Sequence, residues 1–209
     1  MSKDISTFLD ISPVIPVLTI ARVDDAVALA QALAEGGLTV LEVTLRTEAA
    51  LDAISAIARN VPKAIVGAGT VLTTADLENA RNTGAKFAVS PGLTDALADR
   101  ADAVSFPILP GVATASEIMR GRERGLRHFK FFPAESSGGV AALKSFAGPF
   151  SDVRFCPTGG ITLETAPAYL ALANVMCVGG SWMAPRRLID DKDWKAITNL
   201  ARGAAKLRV

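Results

Sequence analysis

Short apolar runs rich in β-branched residues alternate along this chain with longer stretches whose apolar positions recur every three to four residues. A Gly, Pro or Thr separates most of these segments. The short runs read as strands, and the longer recurrence reads as helices with one buried face. The first pair is a strand over Val14–Ile20 and a helix over Val23–Glu35, ended by Gly36 and Gly37 as glycine commonly ends helices. The next pairs are Val40–Leu45 with Glu48–Arg59, Ala64–Ala68 with Thr74–Thr83, and Lys86–Ser90 with a helix after Thr94. Then come Ser105–Leu109 with a helix after Thr114, and His128–Phe132 with a helix from about Gly139. Last are Val153–Pro157 with a helix after Thr162, and Met176–Val178 with a final helix over Asp193–Lys206.

Eight strand–helix units in strict alternation predict an α/β fold, a (β/α)8 TIM barrel, as a single compact domain over residues 1–209. That length lies near the lower limit of ~200 residues for such barrels, so the loops must be short. An open flavodoxin-like or Rossmann sheet is the rival architecture. The segment before Pro13 is left over and is expected to form a short N-terminal helix that covers the bottom of the barrel. In either architecture ligands sit at the C-terminal ends of the strands.

Composition narrows the classes. Half of the residues are apolar, 21% are charged and the net charge is +1, as in a globular domain with a large core. No basic block marks a nucleic-acid partner. The N-terminus MSKDISTFLD lacks a signal-peptide pattern, and no apolar run approaches the ~20 residues needed to span a bilayer. A cytoplasmic location is the expectation. Cys156, Cys177 and the one histidine, His128, lack the number and spacing of a zinc site, and the two cysteines read as buried thiols in strands.

Alternation of side chains puts Glu42, Thr44 and Arg46 on one face of the second strand and Leu41, Val43 and Leu45 on the other. The greasy face suits the helices, so the charged face points inward. Charges there are costly unless paired or used, and a structural ion pair is the bland explanation. In the sixth strand Lys130 stands in HFKFFP, on one face with His128 and Phe132. An apolar site would lower its pKa from ~10.4 toward ~7–8, and the free amine could attack a ketone to form an imine. Snorkelling from a strand end is the alternative.

Two glycine pairs follow late strands, Gly159-Gly160 after the seventh and Gly179-Gly180 before Ser181 at the end of the eighth. Glycines let backbone N–H groups approach a phosphate, and a following helix N-terminus adds a favourable dipole. Loops after strands seven and eight are the habitual phosphate site of these barrels. Gly67-Ala68-Gly69-Thr70-Val71-Leu72 lacks the third glycine of a dinucleotide fingerprint and reads better as a turn placing Thr70 at the mouth. Ser90-Pro91-Gly92 reads as a tight turn that also lines the mouth.

With these residues in hand, LEVTLRTEAALDAI, AIVGAGTVL, FAVSPG, FKFFPAE, FCPTGGI and VGGSW stand in an order that resembles the 2-keto-3-deoxy-6-phosphogluconate aldolase family. The resemblance runs over nearly the whole length and weakens before Pro13 and after Pro185. It implies a Schiff-base aldolase of the Entner–Doudoroff pathway acting on a small phosphorylated 2-keto acid. By the same token it implies a homotrimer that needs no metal or other cofactor. It makes Lys130 the imine-forming lysine and Glu42 the general acid/base. Arg46, with Thr70 and Pro91, falls near the substrate carboxylate, and Phe132 lines the pocket. Thr158, Gly159, Gly160, Gly179, Gly180 and Ser181 fall at the pyruvate and phosphate ends. The galactonate epimer and 4-hydroxy-2-oxoglutarate remain alternative substrates. A barrel isomerase or decarboxylase that uses Lys130 only as a charge, and a non-enzymatic sugar-phosphate binder, are the readings from other classes.

Overall fold

The computed structural model describes residues 5–207, and the first four residues of the N-terminal segment lie outside it. In chain order the elements begin with α1 (Ser6–Leu9), β1 (Val14–Leu18), α2 (Val23–Glu35), β2 (Val40–Thr44) and α3 (Ala50–Asn60). They continue with β3 (Ile65–Gly69), α4 (Thr74–Asn82), β4 (Ala88–Val89), α5 (Asp95–Ala103), β5 (Ile108–Leu109), β6 (Gly111–Val112) and α6 (Ala115–Glu123). Next are β7 (His128–Phe131), a 3-10 turn (Glu135–Ser137), α7 (Gly139–Ala147), β8 (Arg154–Pro157) and α8 (Ala166–Leu170). The chain closes with β9 (Val178–Gly180), α9 (Arg186–Asp190) and α10 (Trp194–Ala205).

All ladders are parallel. One sheet has the order β5-β4-β3-β2-β1-β9 and a second has β6-β7-β8. Of the strand expected over Ser105–Leu109 only Ile108–Leu109 forms, and a second short piece, Gly111–Val112, follows Pro110, which has no N–H to donate. Its carbonyl still accepts from Lys130 N at 2.9 Å, so the break costs the neighbouring strand nothing. At the other end, isolated parallel bridges join Phe155 to Val175 and Thr158 to Gly179. The sheets therefore curl toward each other, with hydrogen bonds at both junctions. The last strand begins two residues later than the pattern suggested, so Gly179 and Gly180 lie within it, opposite Ile15 and Pro16 of β1.

Side-chain alternation separates two regions. Val14, Leu18, Leu41, Val43, Phe129 and Phe155 face the helices and belong to the main core. Ile15, Val40, Phe87, Val89, Cys156 and Cys177 face the other way and form a second cluster with Phe8 and Leu9 of α1. Phe8 stacks on Phe87 with ring centroids 5.4 Å apart. The N-terminal helix thus covers apolar side chains at the start of the strands, as expected from the sequence. The same inward faces become polar toward the strand ends, where Glu42, Thr44, Lys130 and Thr158 are buried. Among the described residues no helix is long and apolar enough to cross a membrane.

This division makes a stability prediction. Phe8→Ala, which leaves a void beneath Phe87, should destabilise the fold by roughly 3 kcal/mol in denaturant unfolding. A cost below about 1 kcal/mol would mean that α1 does not seal the apolar end.

Candidate active site

Lys130 from β7 and Glu42 from β2 meet across the interior. Lys130 Nζ donates to Glu42 Oε1 at 3.1 Å and lies 3.5 Å from Oε2. Each residue is only 4% exposed. Their strands belong to different sheets, so neither ladder register alone would bring them together. As the alternation of side chains predicts, Phe129 and Phe131 turn outward into the core, and the Phe132 ring faces the amine, 5.1 Å from Nζ to the centroid. A carboxylate, not hydrocarbon, is therefore the amine's closest compensation for burial. Gly69 makes room for it: a Cβ there would stand 2.2 Å from Glu42 Oε1.

Above this pair opens a cavity of about 200 Å³. Lys130, Phe132 and Thr158 form its inner wall, Arg46 one side, and Gly159, Gly160, Gly179, Gly180 and Ser181 the rim. Gly159 and Gly160 have φ of +104° and +80°, which side-chain-bearing residues rarely adopt. Gly179 leaves space for Thr158, whose Oγ1 would lie 2.2 Å from a Cβ at that position. The walls carry no carboxylate, and Arg46 adds a positive charge beside Lys130, whose own charge Glu42 balances, so the cavity suits an anion.

Arg46 is held from the side. Its Nε donates to Thr70 Oγ1 at 3.0 Å, and Thr70 has φ of +58°, an outlier for a β-branched residue. Thr70 therefore reaches the site through Arg46. Pro91 lies apart from the cavity walls. Its carbonyl packs over Gly111, whose Cβ would come within 2.1 Å of it, and Gly111 pairs with Lys130 in the ladder. Thr44 turns its hydroxyl to Leu18 O at 3.0 Å, tying β1 to β2. Val17, Thr19 and Ile161 complete the walls. The alternation that marks Glu42 applies equally to Val17 and Thr19, but neither carries a charge to draw attention.

The glycine rims do not open onto regular helices. After Gly160, Thr162 and Thr165 exchange side-chain-to-backbone hydrogen bonds, and α8 starts only at Ala166. After Gly180 the chain turns through Ser181–Ala184 before α9 at Arg186. Neither glycine pair therefore stands directly at a helix N-terminus, where the sequence pattern predicts a helix dipole. At the Gly67–Leu72 turn, Asp76 Oδ2 accepts from Leu72 N and Thr73 N at 3.0 and 2.9 Å. A carboxylate thus occupies the amides that a pyrophosphate would need. Among the described residues no group of three or more His, Cys, Asp or Glu is placed to hold a metal ion.

This geometry has counterparts. The family described as KDPG and KHG aldolase matches residues 5–200. The KHG/KDPG aldolase of Escherichia coli is 52% identical over 200 residues, covering 96% of this chain and 94% of that protein. A crystal structure of the Zymomonas mobilis 2-keto-3-deoxy-6-phosphogluconate aldolase with 3-phosphoglycerate superposes with a TM-score of 0.95 at 50% identity, covering 100% of this chain and 98% of that one. The Legionella pneumophila KDPG aldolase, captured with pyruvate as a covalent carbinolamine, gives 0.96 at 43% identity, covering 99% of this chain and 100% of that one.

The interior pair can be tested directly. Glu42→Ala leaves the Lys130 ammonium buried without a partner and should cost about 3–5 kcal/mol in unfolding experiments. Glu42→Ala combined with Lys130→Met should recover most of that loss. Equal destabilisation of the single and double variants would show that the two charges are not coupled.

Proposed function

The chain belongs to the KDPG and KHG aldolase family, and on that premise we propose that Lys130 forms the imine and Glu42 moves the protons when 2-dehydro-3-deoxy-6-phosphogluconate is cleaved to pyruvate and D-glyceraldehyde 3-phosphate. The observation that carries this reading is the 3.1 Å contact between a buried amine and a buried carboxylate beneath an anion-suited cavity.

The chemistry follows from that pair. Transfer of a proton from Nζ to Oε1 leaves a neutral amine, which attacks the C2 ketone. Glu42 then returns the proton to the C2 oxygen, water leaves, and a protonated imine forms. The carboxylate, directly or through that water, takes the proton of the C4 hydroxyl, and the C3–C4 bond breaks. Its electrons enter the imine and give an enamine of pyruvate, while the aldehyde departs. Protonation at C3 and hydrolysis release pyruvate and return the lysine. The cationic imine is the electron sink.

Arg46 suits the substrate carboxylate because its planar fork can meet two oxygens together, and Thr70 holds that fork from behind. Phe132 and Thr158 flank the reacting carbons. Gly159, Gly160, Gly179, Gly180 and Ser181 would receive the phosphate through backbone N–H groups and the serine hydroxyl. Pro91 acts through packing beside the strand of Lys130, as its place over Gly111 suggests. The bifunctional name of the Escherichia coli relative supports a second substrate, 4-hydroxy-2-oxoglutarate, cleaved to pyruvate and glyoxylate in the same cavity.

We also read the two sheets as one closed (β/α)8 barrel and residues 1–209 as one domain. The bonds at Pro110 and the bridges at Phe155 and Thr158 support closure. A cytoplasmic homotrimer rests on the family resemblance and on the small phosphorylated metabolites involved.

Pyruvate plus borohydride should leave a stable adduct on the peptide containing Lys130 in peptide mass spectrometry, and Lys130→Met should abolish both adduct and activity. Intact activity with no adduct would return Lys130 to the role of a mere charge. Glu42→Gln should slow turnover by about 10²–10⁴-fold with imine still trapped. Arg46→Lys should raise KM for the keto acid about tenfold, with trapping at saturating pyruvate preserved. An equal loss in trapping there would remove Arg46 from carboxylate binding.

A further inference from the structure

Glu135, in FKFFPAE, takes no part in the chemistry above, and neither does Tyr169, the chain's one tyrosine. Together they brace one rim of the cavity. The 3-10 turn after β7 lies under the loop after β8: Ala134 N donates to Thr158 O at 2.8 Å and Glu135 N to Gly159 O at 3.1 Å. The Glu135 side chain lies across Gly160, where an added Cβ would stand 2.6 Å from Glu135 Cγ and 2.8 Å from its Cβ. Tyr169, on α8 at the far end of the same loop, donates its hydroxyl to Glu135 Oε1 at 2.7 Å. The tyrosine is 1% exposed, so its hydroxyl has little recourse to water. Burial first, and then the hydrogen bond to the Glu135 carboxylate, hold the phenol well above its usual pKa, so it stays a donor at neutral pH.

A carboxylate next to a loop that is to receive a phosphate is an electrostatic liability, since like charges at close range repel. Tying that carboxylate to a buried phenol fixes its direction. It also ties α8, where the loop ends, to the turn that holds the start of that loop through Thr158 O and Gly159 O.

We infer that Tyr169 and Glu135 are positioning residues for phosphate recognition: they touch no reacting atom, and they set how strongly the enzyme prefers phosphorylated aldehydes and acids over unphosphorylated ones. The inference rests on the reading of the Gly159–Gly160 loop as a phosphate rim.

The test uses the synthetic direction, where pyruvate is condensed with D-glyceraldehyde 3-phosphate or with plain glyceraldehyde. Wild-type enzyme should strongly prefer the phosphorylated aldehyde in kcat/KM. Tyr169→Phe should cut that preference about tenfold, through KM for the phosphorylated aldehyde, with rates on glyceraldehyde and borohydride trapping with pyruvate unchanged. Glu135→Gln keeps an acceptor for the phenol and removes the charge, so it should retain the preference. Adding Glu135→Gln to Tyr169→Phe should restore part of what the single change lost. Tyr169→Phe with an undiminished preference, or with equal losses on both aldehydes, overturns the inference while leaving the phosphate rim standing. A wild-type enzyme without any preference refutes the rim itself, and the inference with it.

Discussion

The structure is organised around one interaction, the buried hydrogen-bonded ion pair between Lys130 and Glu42. Moving a charge away from water costs several kcal/mol, and such a pair repays that only with close geometry and satisfied surroundings. Close geometry here demands that two strands from different sheets face each other across the interior. It further demands that Gly69 leave the carboxylate its space. Two apolar residues of similar volume would fill the same positions at less cost. The pair is therefore weak evidence of stabilisation, and it fits the proton transfer proposed for it.

Around that pair the interior divides along the strand direction. At the strand starts, Ile15, Val40, Phe87, Val89 and the two cysteines pack with α1 into a dry floor. At the strand ends, Thr44, Lys130, Glu42 and Thr158 point into a space that opens to the loops. The floor supplies rigidity and keeps water away from the underside of the pair. The loops supply shape and charge for the substrate. In parallel α/β proteins ligands sit at the carboxyl ends of the strands, and the layering here obeys that rule through side-chain polarity alone.

The rim shows a second economy. Its walls bring Arg46 and Lys130 to the cavity and no carboxylate. Acidic groups close by are spoken for: Asp76 caps α4 through two backbone N–H groups, and Glu135 accepts from Tyr169. Thr70 holds a left-handed backbone to keep its hydroxyl on Arg46. These contacts leave Arg46 as positive charge at the cavity, where an anionic substrate would meet it.

Much of this was legible in the chain itself. Alternation of side chains sent Glu42 inward and Leu41 outward, and the same rule put Lys130 opposite to Phe129 and Phe131. Hydrophobic periodicity marked the helices to within a few residues, since burial of one face is what makes them helices. The regions that escaped the pattern are those where a distant neighbour decides. Pro110 stands between β5 and β6 and has no N–H, yet only the partner strand shows that its carbonyl still serves Lys130. Gly179 and Gly180 looked like a turn, but pairing with β1 draws them into a strand. No local rule joins residues 42 and 130, or Tyr169 and Glu135. Sequence determined which side chains face inward and which of those are ionisable, because alternation and burial are local. Only the tertiary structure decided which of them meet, because curvature of the sheets brings together groups that the chain keeps far apart.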